Sequence, residues 1–171
     1  MCIFLQIQTN PPRNLHYITK ILECYKKYSK YLHDDFTPDN GIEFILCSIP
    51  YLWAICDIKG NFMGFVSLEN FTGNKFKLFS AEITTCFKKR AWGNYTKYCA
   101  KIFLKKCFDE LGLYKIKAEI FPDNHNVKTL LKNAGFQYET TLHNETLRNN
   151  KLQNIDIYSI TKNYYYKNEE I

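Results

Sequence analysis

The stretch KKRAWGNYTKY, residues 88 to 98, gathers Lys88, Lys89, Arg90 and Lys97 around a single glycine, Gly93. A strand-like run, FKLFSAEITTCF, precedes it, and a run with helical spacing, YTKYCAKIFLKKCFDEL, follows it. The stretch therefore has the form of a strand-to-helix turn that can hold a phosphate. Helix N-termini present N–H groups without helical partners and carry a partial positive charge, and a glycine lets backbone approach the anion.

Other chemistries find less support. The seven cysteines (2, 24, 47, 56, 86, 99 and 107) are odd in number and lie eight or more residues apart, so no C-x-x-C metal or redox pair exists. Reduced core thiols are the expectation. Cys86 has no histidine near it in sequence to act as its base, and His16, His33, His125 and His143 are scattered, so neither a covalent acyl-enzyme nor a metal centre is expected. Three N-x-T sequons, at Asn70, Asn94 and Asn144, occur without a secretory signal and read as chance matches.

A chain of 171 residues fits one domain, residues 1–171, with a flexible tail from about 165. Hydrophobic residues make up 46% and charged residues 23%, as in ordinary globular proteins, and 13 Tyr and 13 Phe supply many large side chains. The net charge of +6 suits an anionic partner without naming one. No basic leader precedes an apolar run, and no apolar stretch approaches membrane-spanning length, so a cytoplasmic chain is expected. The basic residues lack the aromatic-basic motif of a nucleic-acid-binding module, and neither nucleic acid nor membrane is expected as a partner.

The elements that must position the turn follow from periodicity. Leu15, Ile18, Leu22, Tyr25 and Leu32 recur at helical spacing, a helix that ends near HDDFTPDNG, and a second short helix falls around IEFILCSI. YLWAICDI and FMGFVSLENF flank KGN as a hairpin, and TGNK leads into the strand before the turn. After the long helix, closed by Gly112, Ile116, Ala118 and Ile120 alternate with Lys115, Lys117 and Glu119 in a strand buried on one face. NVKTLLKNAG is a short helix, FQYETTLHN and LQNIDIYSITKNYY are two strands around RNNK, and YKNEEI frays. The order β-α-α-β-β-β-α-β-α-β-β describes one mixed α/β domain with about four helices.

AEITTCFKKRAWGN, the helix after it, KIKAEIFPDNHNVKTLLKNAGFQYE and LQNIDIYSI resemble the GCN5-related N-acetyltransferases (GNAT family), nearest to the branch acetylating ribosomal-protein N-termini and small amines. The resemblance covers residues 50 to 163, and its most specific part is Asn124 eleven residues before Gly135-Phe136. It implies a mostly antiparallel mixed sheet with one splayed parallel strand pair, AEITTCF beside YKIKAEIF. It implies acetyl-coenzyme A as co-substrate, an amine acceptor, no metal, and room for a homodimer.

By that resemblance the pantetheine arm pairs with backbone near Cys86 and Phe87, and the pyrophosphate meets Arg90, Trp92, Gly93, Asn94, Tyr95, Thr96 and Lys97. Asn124 holds the cofactor arm or caps the next helix. Anchored on the preceding strand, the family's R-x-x-G-x-G/A motif falls with Tyr95 at its required glycine and Lys97 at its last small residue. Such glycine-poor loops are most similar to phage acetyltransferase-like proteins. Lys88, Lys89, Lys101 and Lys105 could compensate or form a solvated face. Glu82 takes the family's position for an acid near the acetyl group, with a strand-end carboxylate satisfied by backbone or lysine as the alternative, and Glu69 is a weaker candidate. Leu131 stands where many relatives carry a proton-donating tyrosine, which leaves Tyr138 or water. Tyr51, Trp53 and the segment Asp34 to Phe44 would line the acceptor side, Trp53 being also a core candidate. The resulting expectation is direct acetyl transfer to a protein N-terminus or small amine, or else a degenerate module that binds coenzyme A or a protein partner.

Overall fold

A computed structural model describes residues 1–28, 41–74 and 76–169. Its elements in chain order are β1 (Cys2–Gln6), β2 (Gln8–Thr9), β3 (Pro12–Arg13), α1 (Tyr17–Tyr28), α2 (Gly41–Ser48), β4 (Leu52–Asp57), β5 (Phe62–Asn74), β6 (Lys77–Phe87), α3 (Asn94–Asp109), β7 (Lys115–Ile120), α4 (His125–Asn133), β8 (Gln137–Arg148), β9 (Lys151–Thr161) and α5 (Lys162–Glu169). Among the described residues seven strands form one mixed sheet in the order β1-β4-β5-β6-β7-β9-β8, and β2 and β3 make a separate two-stranded ribbon. β6 and β7 are parallel, whereas β1–β4, β4–β5 and β7–β9 are antiparallel. Residue contacts group the chain into two compact units.

The first unit holds Met1–Glu69, Thr84–Thr96 and Leu147–Lys151. Of the residues whose spacing predicts α1, Tyr25 is buried, Ile18 and Leu22 are half-buried, Leu15 is exposed and residue 32 lies outside the described residues; the buried face is rotated to Tyr17, Ile21, Cys24 and Tyr25. They join Ile45 of α2, Leu52, Phe62, Phe65 and Cys86 in one apolar cluster. β4 is buried at five successive residues, so the sheet here is covered on both faces. The KGN hairpin forms as expected: the Asp57 carboxylate accepts from the Lys59 and Asn61 amides, each at 2.9 Å, and Gly60 adopts φ +77°. Gly64 answers a different need, because a Cβ there would stand 2.3 Å from the Cys86 carbonyl oxygen and 2.9 Å from Phe87 Cα. Only hydrogen fits between the two backbones.

The second unit holds Asn70–Ile83, Lys97–Thr146 and Leu152–Ile171. The inward residues of β7 are Ile116, Ala118 and Ile120, as their alternation implies, and α3 buries Cys99, Phe103, Leu104, Cys107 and Phe108. β7 pairs with β9 along its whole length, from Lys115 with Thr161 to Ile120 with Asp156. Gly112 (φ +68°) and Gly135 (φ +90°) close α3 and α4.

Among the described residues five helices stand where about four were expected. The aromatic run KNYYY reads as the end of a strand, yet it winds into α5, because Tyr165 packs on Phe108 with ring centroids 5.4 Å apart and its hydroxyl donates to the Lys101 carbonyl at 3.2 Å. Packing overrides the local β preference of tyrosine.

Replacing Gly64 by alanine should push β5 off β6. We expect a loss of about 1–3 kcal/mol in chemical denaturation, whereas Gly60→Ala, whose Cβ meets nothing within 4 Å, should cost only its strained φ, about 1–2 kcal/mol.

Candidate functional site

β6 runs out at Phe87, and a 3-10 turn, Lys89–Ala91, carries the chain to α3. Side chains brace this loop from several directions. Trp92 Nε1 donates to the Phe87 carbonyl (3.0 Å), Arg90 Nη2 to the Phe62 carbonyl (3.1 Å), Tyr95 Oη to the Cys56 carbonyl (3.1 Å) and Thr96 Oγ1 to the Ala91 carbonyl (2.7 Å). The Lys89 amide donates to Tyr28 Oη at 3.0 Å. Arg90, expected beside a phosphate, thus spends a guanidinium nitrogen on backbone, and Tyr95 fills the motif's glycine position by reaching away to β4.

What the bracing leaves open is the start of α3. Gly93 has φ +97°, and a Cβ built on it would meet nothing within 4 Å. Trp92, Gly93 and Asn94 are all exposed. The first turn of a helix directs amides outward with a partial positive charge, so this point fits an anion whose approach needs open space. Within the second unit, Lys97, Tyr98 and Lys101 of α3 face Leu130, Asn133 and Ala134 across a cavity of about 210 Å³. Lys105 instead pairs with Asp109 at 2.7 Å and belongs to the solvated face.

The parallel ladder is short: Ser80 pairs with Lys115, Ala81 with Ile116 and Glu82 with Lys117. Past Glu82, β6 continues as a strand to Phe87, and no further β7 partner is found among the described residues. Glu82 Oε2 accepts from Asn70 Nδ2 at 2.6 Å, so the carboxylate is held by an amide and not by a lysine. Glu69 accepts from Thr84 Oγ1 at 2.5 Å. Cys86 lies buried with its Sγ 3.7 Å from that of Cys24. Its hydrogen bond to Cys24, together with burial, pushes the Cys86 thiol far above the ordinary thiol range, so it stays protonated and is no nucleophile at neutral pH.

Asn124 caps α4, its Oδ1 accepting from the Val127 amide at 3.3 Å. Leu131 is buried on α4, with 8% exposure. Trp53, a candidate wall of the acceptor side, is core at 1% exposure. Residues 34–40 of the expected acceptor segment lie outside the described residues. Tyr138 Oη is engaged with Thr141 Oγ1 (2.8 Å), which donates to Asp156 (2.6 Å), and Lys128 Nζ completes the network at 2.6 Å from the same carboxylate. Sequence reading took Asn70 only for a chance sequon and missed it as the partner of Glu82. Its one signal is an asparagine within a strand-like run, directly after Glu69.

Among the described residues no group of three or more His, Cys, Asp or Glu could hold a metal ion, and no helix is long and apolar enough to cross a membrane. The family model of the acetyltransferase (GNAT) domain matches residues 16–137. The chain belongs to the GNAT acetyltransferase family. No curated protein matches this GNAT chain in sequence. In fold it is similar to a GNAT-family acetyltransferase from Bacillus anthracis (TM-score 0.75, 15% identity, covering 95% of each chain). It is also similar to spermidine N-acetyltransferase from Vibrio cholerae in complex with CoA and spermine (TM-score 0.76, 16% identity, 96% of this chain and 98% of that one). A chimera of the Vibrio cholerae enzyme and hSSAT gives TM-score 0.78 at 19% identity, over 96% and 98% of the two chains.

The Asp156 network gives this GNAT domain a pH signature. Burial pushes the Asp156 carboxyl up, but the bonds from Lys128 and Thr141 outweigh it and hold the group below its ordinary value of 3.8. A carboxyl depressed in the folded state contributes stability above its unfolded pKa and loses it as pH falls through the folded one. Asp156→Asn should therefore cost about 2 kcal/mol at pH 7 and flatten the fall in stability below pH about 4, as read from denaturant midpoints across that range.

Proposed function

We propose that this protein transfers an acetyl group from acetyl-coenzyme A to a primary amine, on a small molecule or a protein N-terminus, by direct attack. The observation that carries this reading is the parallel ladder ending at Glu82 while β6 runs on to Phe87. A strand whose parallel partner stops leaves backbone that an extended ligand can pair with. The co-substrate would supply the activated acetyl group, and the chain's own residues would do the rest. The first turn of α3 at Gly93, Asn94 and Thr96 receives the pyrophosphate through amides, and Lys97 and Lys101 offer positive charge to the nucleotide. Glu82 takes the proton that an amine of pKa about 10.4 must lose before it attacks. Leu131 cannot donate a proton to the departing thiolate and Tyr138 is tied to Thr141, so water fills that role.

The fold similarity to a spermidine N-acetyltransferase makes spermidine and spermine sensible first acceptors beside N-terminal peptides. A second reading, a module that binds coenzyme A or a protein without turnover, draws on the same Leu131 and on Tyr95 in the glycine position. Reduced thiols suit a cytoplasmic setting for either.

Calorimetric titration with acetyl-coenzyme A, desulfo-coenzyme A and ATP separates these readings from none at all. Micromolar binding of both coenzyme forms but not ATP is expected, followed by acetyl transfer in an amine panel; binding without transfer to any amine selects the second reading. Gly93→Val should weaken coenzyme binding about tenfold or more, beyond the roughly 1–2 kcal/mol that its positive φ costs the fold. Equal affinity in the variant would take the loop out of the site. Glu82→Gln should lower turnover most at low pH, where the amine most needs a base, and recover as pH rises; a uniform loss would show that Glu82 is no base.

A further inference from the structure

Among the described residues, five that are not glycine have positive φ, all asparagines, and Asn70 (φ 47°) is one of two set within a long strand. Its place in β5 follows from the side-chain partners on β6. Thr72 bonds Ser80 (2.7 Å) and Asn70 bonds Glu82 (2.6 Å), two residues along each strand. The next bond joins Glu69 to Thr84 (2.5 Å), one residue along β5 but two along β6. The two strands advance unequally over this step, so their pairing is irregular, with the left-handed Asn70 at the break. A left-handed residue at such a break is cheapest as glycine, since a side chain there is strained. Asparagine supplies what glycine lacks, an amide that reaches the Glu82 carboxylate.

We infer that Asn70 is a positioning residue for Glu82: the break aims its Nδ2 at Oε2 and fixes the carboxylate so that Oε1 faces the acceptor amine. Oε1 has no hydrogen-bond partner among the described residues. Strain held at a single residue beside a chemical group is a recognised mark of preorganisation. Bulges next to active sites re-aim side chains in the same way. The inference rests on the reading of Glu82 as the base.

Asn70→Gly separates the amide from the break, because glycine keeps positive φ and removes the donor. Initial rates would be measured with acetyl-coenzyme A and a panel of spermidine, spermine and a short N-terminal peptide, for the unsubstituted protein, Asn70→Gly, Glu82→Gln and the double variant. Thermal melting would be followed alongside. We expect Asn70→Gly to melt with the parent, to keep the KM for acetyl-coenzyme A and to lose about tenfold in kcat. In the Glu82→Gln background the same change should have no effect, since the amide then has no carboxylate to aim. An equal loss in both backgrounds, or none in either, overturns the positioning role. Full activity in Glu82→Gln removes the base and the positioning role with it. If the unsubstituted protein acetylates nothing in the panel, the acetyltransferase reading itself fails and the inference falls with it.

Discussion

Backbone N–H and C=O groups must find partners, and along β6 and β7 three parallel residue pairs, Ser80 with Lys115 through Glu82 with Lys117, supply them. Beyond those pairs the two strands take different courses. β7 pairs with β9 as far as Ile120, and β6, next to β5 in the sheet, runs on to Phe87. The close approach of β5 at Gly64, where no Cβ fits against the Cys86 carbonyl, and the Lys88 amide bonded to the Met63 carbonyl at 2.8 Å fix the last residues of β6 in place. A strand end held this firmly, with its parallel ladder already finished, is the constraint on which the rest of the site depends.

The loop that follows is built without the glycines that a phosphate turn of this family ordinarily has. Trp92, Arg90, Tyr95 and Thr96 each donate a hydrogen bond to a backbone carbonyl, so side chains do the shaping that glycine conformations would do elsewhere. Gly93 remains at the one point where positive φ and open space are both needed. The loop is altered and still presents the helix start. That resolves why Tyr95 can occupy the position that the motif reserves for glycine: its hydroxyl reaches the Cys56 carbonyl.

Much of the architecture was readable from the residues. The existence of the first helix, the turn at KGN and the alternation through Ile116, Ala118 and Ile120 are displayed by the sequence directly, although the buried face of α1 centres on Tyr17, Ile21 and Cys24 and not on Leu15, Ile18 and Leu22. Strand partners and register do not, because a period of two says which face is buried and nothing about which residue lies opposite. The end of the ladder at Glu82 and the break at Asn70 were therefore invisible. Arg90 and Tyr95 looked like ligands by type, and only the fold shows that carbonyls of Phe62 and Cys56 lie within their reach. α5 was misread for a related reason: Tyr165 is buried against Phe108, and that contact joins residues far apart in the chain.

The central claim, that β6 beyond Glu82 and the first turn of α3 receive an extended anionic ligand, is tested most directly by amide hydrogen exchange with and without coenzyme A. The account predicts slower exchange confined to residues 83–87 and 93–97, with the β4–β5 hairpin unchanged. Unaltered exchange in both segments at saturating coenzyme A would contradict it.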